Sequence, residues 1–247
     1  MITDIIILFF VAFLTGLLPF YIPKISNGRY KLLLVFAGSY LFSITVIHIL
    51  PELFHEASEP SLIGIFVLIG FFLQQSLEFF SSGVEHGHIH IHTKGHSHAE
   101  SSAWVVLMAL FAHSFLEGGL LAHPEAFNHQ HDTTTLLWGI ALHKAPEAFA
   151  LMSVLLCEIN KKWKALLLLI IFAMASPLGL YFSHYLLSND WMSSQAFTLL
   201  FALVSGNFLH ISTTIVFESS SDHKFNARKM GIAILGAAMA IGMELFL

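Results

Sequence analysis

The chain has 247 residues, of which 56% are apolar and only 11% are Asp, Glu, Lys or Arg. Soluble domains carry about 25% charged residues, so this composition is too poor in charge to build a water-facing surface. It excludes soluble globular, disordered and nucleic-acid-binding proteins, and it is typical of a polytopic membrane protein. The single cysteine, Cys157, also excludes an intrachain disulfide framework.

Apolar stretches long enough to cross a bilayer recur along the whole chain. A transmembrane helix needs about 20 predominantly apolar residues. Eight stretches meet this requirement, roughly over 5–23, 32–54, 62–82, 102–122, 134–157, 164–187, 194–218 and 228–247. We therefore predict an all-α fold, in which residues 1–247 form a single transmembrane domain of eight helical spans.

The basic residues alternate between the loops that join these spans. Loops one, three, five and seven hold ten of the eleven Lys and Arg residues, namely Lys24, Arg29, Lys31, Lys94, Lys161, Lys162, Lys164, Lys224, Arg228 and Lys229. The other loops and both ends carry acids and histidines instead. Because cytoplasmic loops are enriched in Lys and Arg, we predict that the odd loops are cytoplasmic and that both termini are extracytoplasmic.

The eleventh basic residue, Lys144, lies inside the fifth predicted span, between the members of a His–Glu pair. That pair is His143 and Glu147, and span four carries the matching pair His113 and Glu117. The i, i+4 spacing puts each pair on one face of its helix. Two such faces offer two imidazoles and two carboxylates, which are donors that Zn²⁺ and similar divalent ions accept. Lys144 is expected to neutralise part of the carboxylate charge when metal is absent.

Backbone signals near the two motifs favour a binding cavity. Pro146 cannot donate a hydrogen bond, so the carbonyl of Leu142 loses its helical partner and a kink is predicted there. The adjacent Gly118 and Gly119 permit close approach of another backbone. One His–Glu pair alone could be a hydrogen-bonded pair in a helix bundle. Two pairs on consecutive spans favour metal or proton handling.

Residues 83–101, between spans three and four, form a histidine-rich loop that the predicted topology places in the cytoplasm. Its regularly interleaved imidazoles are His86, His88, His90, His92, His96 and His98. This composition is typical of a flexible metal-binding tract. The predicted outer loops also carry acids and histidines, which could either steer cations toward the protein or be ordinary solvated side chains.

These features together resemble the ZIP (ZRT/IRT-like protein) family of divalent-metal transporters. Besides the motifs on spans four and five, His48-Ile49-Leu50-Pro51-Glu52 is similar to the second-span H-x-L-P-E motif of that family. Gly206-Asn207-Phe208-Leu209 is similar to its seventh-span signature. The resemblance implies that the principal transport-site ligands are His113, Glu117, His143 and Glu147.

The resemblance also has consequences beyond these four ligands. Some relatives have a second, adjoining metal position, whose ligand slots fall here on Ser114 and Lys144. An ammonium cannot coordinate a metal, so a mononuclear site is expected, with Ser114, Asn207 and His210 as possible secondary residues. In this family the first, fourth, fifth and sixth helices are thought to move as a unit, which implies alternating access of the elevator type.

The predicted function is uptake of divalent metal cations into the cytoplasm across the cell membrane, with Zn²⁺ as the main substrate and Fe²⁺, Mn²⁺ or Cd²⁺ as further ones. No nucleotide-binding pattern is present, so direct ATP drive is not expected. The predicted protein is a secondary transporter or facilitator and not an enzyme. The predicted partners are the metal ion and the lipid bilayer, without nucleic acid, and a homodimer is possible.

Two alternatives remain open from the sequence. An intramembrane zinc-dependent hydrolase could use the same His/Glu residues, with three ligands and an open water position. No His-Glu-x-x-His motif is present to support it. A metal-sensing receptor that uses the histidine tract is the other alternative, and it would bind metal without moving it.

Overall fold

The computed structural model describes residues 1–21, 27–81, 103–122, 130–159, 161–218 and 226–246, and in these ranges the regular structure is helical throughout. In chain order the elements are α1 (Ile2–Tyr21), α2 (Asn27–Ile44), a π-helical turn (Thr45–Ile49), α3 (Leu50–Glu56), α4 (Pro60–Ser81), α5 (Ala103–Gly119), a 3-10 turn (Leu120–Ala122), α6 (Gln130–Glu158), α7 (Lys162–Ala173), α8 (Ala175–Ser188), α9 (Ser194–Glu218) and α10 (Ala227–Phe246). The predicted all-α fold is confirmed for this part of the chain.

Seven segments of the described chain are long and apolar enough to cross a membrane. They are Ile2–Tyr21, Tyr30–His55, Pro60–Phe80, Ala103–Ala122, Thr134–Glu158, Lys162–Ser188 and Ser194–Val216, and they coincide with the first seven predicted spans. The eighth predicted span corresponds to α10, which is not among the seven and carries Arg228, Lys229 and Glu244. The count of eight spans and the extracytoplasmic position of both termini stay predictions.

The second span changes its helical pitch in the middle. In the π-helical turn the N–H of Leu50 donates to the carbonyl of Thr45, five residues back. Pro51 follows at once and has no N–H, so it leaves the carbonyl of Ile47 without its usual helical partner. Such π-helical turns occur preferentially at functional sites, and this one contains His48.

Prolines in the fifth and sixth spans have different local effects. In the sixth span α7 ends at Ala173 and α8 begins at Ala175. Pro177 explains this break, because it cannot donate to the carbonyl of Ala173. In the fifth span, by contrast, α6 continues through Pro146 as one helix. The kink expected there stays a prediction.

The helices pack in two groups, which we call the first and second bundles. The first bundle contains α1, α5, α6, α7 and α8, with α1 packed against α6 and α5 against α8. The second bundle contains α2, α3, α4, α9 and α10, with α4 packed against α9 and α2 against α10. The main contacts between the bundles are those of α2 with α6 and of α4 with α5. Both helices that carry the paired motifs therefore lie in the first bundle.

The backbones of α5 and α8 touch through glycines. A Cβ atom on Gly118 would overlap the carbonyl oxygen of Ser176, and one on Gly179 would overlap the carbonyl oxygen of Phe115. Only glycine fits at such contacts, and the close approach predicted for the Gly118 and Gly119 pair is confirmed. This seam holds the motif-bearing helix α5 tightly against α8.

Candidate functional site

The two His–Glu pairs meet inside the first bundle. His113 and Glu117 lie one turn apart on α5, and His143 and Glu147 lie one turn apart on α6. Ligand-type atoms from all four side chains lie within 4.8 Å of one another. All four residues are completely buried. We call this group the central cluster.

One carboxylate oxygen of each glutamate faces the imidazoles. His113 Nε2 lies 2.9 Å from Glu117 Oε1 and 3.2 Å from Glu147 Oε1. His143 Nε2 lies 2.9 Å from Glu147 Oε1. These buried atoms are close, yet within the described part of the chain they lack hydrogen bonds of acceptable geometry. Because buried polar atoms are nearly always satisfied, this convergence is the arrangement that a bound cation would complete.

The second oxygen of each glutamate faces Lys144. Its Nζ atom donates to Glu117 Oε2 at 2.7 Å and lies 3.5 Å from Glu147 Oε2. The same ammonium donates to Ser114 Oγ at 2.7 Å and lies 5.6 Å from the centre of the Phe172 ring. Lys144 is buried, so its charge offsets part of the negative charge of two buried carboxylates.

Two further helices brace the central cluster through backbone carbonyls. From α8, Ser176 Oγ donates to the carbonyl of Ser114 at 2.8 Å. From α2, the hydroxyl of Tyr30 donates to the carbonyl of Pro146 at 3.0 Å. Both contacts are buried, and the second joins the two bundles beside Glu147. Sequence reasoning missed both, because they depend on which helices become neighbours.

Three residues were predicted as possible secondary residues of the metal site. Ser114 lies beside the central cluster, whereas Asn207 and His210 lie outside it. His210 Nε2 lies 2.6 Å from Glu78 Oε2, so the pair links α9 to α4. The His210 ring also packs edge-on against Phe71, with the ring centres 4.8 Å apart. Asn207 is buried on α9, and its side-chain amide has no hydrogen-bond partner among the described residues.

Another His–Glu pair of the same spacing lies in the second bundle. His48 Nε2 lies 3.5 Å from Glu52 Oε2, and His48 Nδ1 lies 2.9 Å from Oε1 of Glu244 on α10. The exposed fractions are 9% for His48, 17% for Glu52 and 27% for Glu244. We call these three residues the His48 cluster. Sequence reasoning missed Glu244, which is 196 positions from His48 and carries no motif of its own.

The histidine-rich tract lies outside the described residues. Its members are His86, His88, His90, His92, His96 and His98. The metal-binding and cytoplasmic character expected for this tract stays a prediction.

Comparison with protein families decides what kind of protein carries this site. The family model described as ZIP zinc transporter matches residues 81–244, which is more than half of the chain. The chain belongs to the ZIP zinc transporter family. A search of curated proteins finds no match.

Membership in the ZIP family confirms the resemblance drawn from the sequence motifs. It makes the chain a membrane transporter of metal ions, and it assigns the protein to transport rather than to catalysis. The matched range contains the whole central cluster, whereas His48 and Glu52 precede it. The central cluster is therefore the candidate metal site of this ZIP protein.

Proposed function

We propose that this ZIP protein carries one divalent cation at a time, with Zn²⁺ as the preferred substrate, between the motif-bearing faces of α5 and α6. The observation that carries the proposal is the convergence of the four buried donors of the central cluster within 4.8 Å. Two imidazole nitrogens and two carboxylate oxygens suit the four-coordinate geometry of Zn²⁺. Fe²⁺, Mn²⁺ and Cd²⁺ accept similar donors and are further candidate substrates.

The proposed site holds a single metal ion. A second ion beside the first would need the oxygens that Lys144 Nζ now faces, Glu117 Oε2 at 2.7 Å and Glu147 Oε2 at 3.5 Å. The ammonium has no lone pair to offer a metal. It also supplies positive charge to the two carboxylates when no metal is bound, which lowers the cost of burying them.

The proposed direction of transport is into the cytoplasm by alternating access. A fully buried ion can leave only if the protein opens a path to it. All four proposed ligands lie in the first bundle, so a displacement of that bundle against the second would carry the intact site across the membrane. This supports an elevator-type motion within one domain that spans residues 1–247.

Release on the cytoplasmic side is proposed to be helped by protonation, because imidazole and carboxylate groups must be deprotonated to bind metal. The histidine-rich tract over 83–101, expected in the cytoplasm, would then receive or sense the ion. An intramembrane hydrolase using the same cluster is less well supported, because catalytic zinc keeps an open position for water. Here four donors face one point.

The test is uptake of radioactive Zn²⁺ by the purified protein in proteoliposomes. Replacing Glu147 with Gln removes one ligand charge at constant size and should abolish uptake. Asp190→Asn makes the same chemical change in an exposed turn between α8 and α9 and should leave uptake at the wild-type rate. Wild-type uptake by the Glu147→Gln variant would contradict the proposed function.

A further inference from the structure

We propose that Lys144 determines the metal selectivity of the central cluster by leaving each glutamate only one oxygen with which to coordinate the ion. The bound cation would then have four protein ligands, a number that suits Zn²⁺ and is too small for larger or harder cations. This inference rests on the proposed function, because it concerns the same site and the same substrate class.

The carboxylate oxygens of the central cluster are divided between two kinds of neighbour. The Oε1 atoms of Glu117 and Glu147 lie 2.9 Å from the Nε2 atoms of His113 and His143, respectively. Lys144 Nζ donates a hydrogen bond to Glu117 Oε2 at 2.7 Å, and it forms an ion pair with Glu147 Oε2 at 3.5 Å without a hydrogen bond. A metal ion placed among the imidazoles therefore meets one oxygen of each carboxylate.

Because only the Oε1 atoms are available to a metal ion, the site can complete the coordination shell of some cations and not of others. Zn²⁺ is typically four-coordinate with nitrogen and oxygen ligands, and two imidazoles with two monodentate carboxylates complete its shell. Mn²⁺ prefers octahedral surroundings rich in oxygen, and Ca²⁺ takes six to eight oxygens with bidentate carboxylates. Without the lysine, the same four residues could supply two nitrogens and four oxygens. The ammonium of Lys144 therefore limits the bound cation to four protein ligands.

Lys144 is fixed well enough to impose this restriction. Its side chain is 1% exposed, so it cannot exchange the carboxylates for water. Ser114 Oγ accepts a hydrogen bond from the ammonium at 2.7 Å, and Ser176 holds the Ser114 backbone in turn at 2.8 Å. The ring of Phe172 lies over the same ammonium. Separating a buried ammonium from its paired carboxylates costs free energy. We therefore expect Lys144 to stay beside the Oε2 atoms of Glu117 and Glu147 while a metal ion is bound to their Oε1 atoms.

The experiment compares the wild-type protein with Lys144→Met, which keeps the length of the side chain and removes its charge and donors. Lys162→Met makes the same change at an exposed residue at the start of α7 and is the matched control. Initial uptake rates of Zn²⁺ and Mn²⁺ are measured separately in proteoliposomes. We expect the preference for Zn²⁺ over Mn²⁺ to fall by about tenfold or more in Lys144→Met, a size typical of altered selectivity at one pocket contact. Lys162→Met should keep the wild-type ratio.

If Lys144→Met folds but does not transport, a metal-binding measurement still tests the proposal. Co²⁺ is added to the purified protein and its visible absorption is recorded, since four-coordinate Co²⁺ absorbs much more strongly than six-coordinate Co²⁺. We expect a strong four-coordinate spectrum in the wild type and a weak one in Lys144→Met. If neither Lys144→Met nor Lys144→Gln can be purified, the wild-type spectrum alone decides, because a six-coordinate spectrum there contradicts the proposal.

The outcomes separate this inference from the proposed function. If the wild type moves Zn²⁺, Glu147→Gln does not, and Lys144→Met keeps both the wild-type selectivity and the wild-type Co²⁺ spectrum, only the role of Lys144 is wrong. If the wild type moves no metal, or Glu147→Gln transports normally, the proposed function itself is wrong.

Discussion

Three of the membrane-spanning segments carry a histidine and a glutamate four residues apart, and they end in two different environments. In the central cluster the pairs on α5 and α6 face each other, and all four side chains are completely buried. In the second bundle the pair His48 and Glu52 lies beside the carboxylate of Glu244 on α10, and the three side chains are 9% to 27% exposed.

The difference lies in how the imidazole nitrogens are used. In the central cluster each Nε2 atom lies 2.9 Å from a glutamate oxygen, and these atoms converge on one point. In the second bundle, Nδ1 of His48 faces Glu244 and Nε2 faces Glu52, so these two carboxylates lie on different sides of the ring. The same spacing therefore produces a set of converging donor atoms in one bundle, and in the other it places an imidazole between carboxylates of two helices. The residue spacing determines which side chains share a face of a helix. The neighbouring helix determines which partners those side chains contact.

Stabilisation by Zn²⁺ should differ most between the central cluster and the His48 cluster. A ligand at 100 times its Kd stabilises a folded protein by about 2.7 kcal/mol. We expect Zn²⁺ to raise the Tm of the wild type and of His48→Ala, and to have no effect on His143→Ala. Thermal unfolding with and without Zn²⁺ provides the measurement. Equal loss of the Zn²⁺ effect in His48→Ala and His143→Ala would show that the two clusters are not distinct.

The next largest effect is expected at the seam that supports the central cluster. Gly118→Ala places a Cβ atom against the carbonyl of Ser176, so α5 and α8 must separate. We expect a loss of about 1–3 kcal/mol in the free energy of unfolding, as for other overpacked sites. Gly64→Ala in α4 is the control, because its Cβ would meet nothing within 4 Å. Unchanged stability in Gly118→Ala would mean that the seam is not tight.

A smaller effect is expected where the two bundles join. Tyr30→Phe removes the buried hydrogen bond from α2 to the carbonyl of Pro146 and changes little else. We expect the free energy of unfolding to fall by about 1 kcal/mol, the usual net value of such a bond. Chemical unfolding of the purified protein measures this. A loss several times larger would indicate that Tyr30 also shapes the central cluster, which the Zn²⁺ titration of the same variant would reveal.

The smallest effect is expected in the His48 cluster itself. A double-mutant cycle with His48→Ala and Glu244→Gln should give a coupling energy of about 0.2–1 kcal/mol, because the contact is partly exposed to solvent. Zn²⁺ uptake at saturating metal should stay close to that of the wild type. A coupling energy near zero would show that the contact between His48 and Glu244 does not stabilise the protein. A large loss of uptake would show that the His48 cluster also takes part in transport.

Much of the architecture follows from local signals in the sequence. The lengths of the apolar stretches predicted seven spans whose bounds agree closely with helices of the structure. The i, i+4 spacing was enough to identify the helix faces that form the central cluster. Gly118 predicted the close backbone contact that α5 makes with α8. These predictions succeed because helix geometry and the cost of burying charge depend on residues that lie near one another in the chain.

The tertiary structure alone decided how these local elements are combined. The division of carboxylate oxygens between imidazoles and Lys144 requires α5 and α6 to meet in one register. The support from Ser176 and the partner Glu244 come from positions 62 and 196 residues away from the groups they contact. Periodicity specifies a face but not its neighbour, because the neighbour is selected by the packing of whole helices that are distant in sequence.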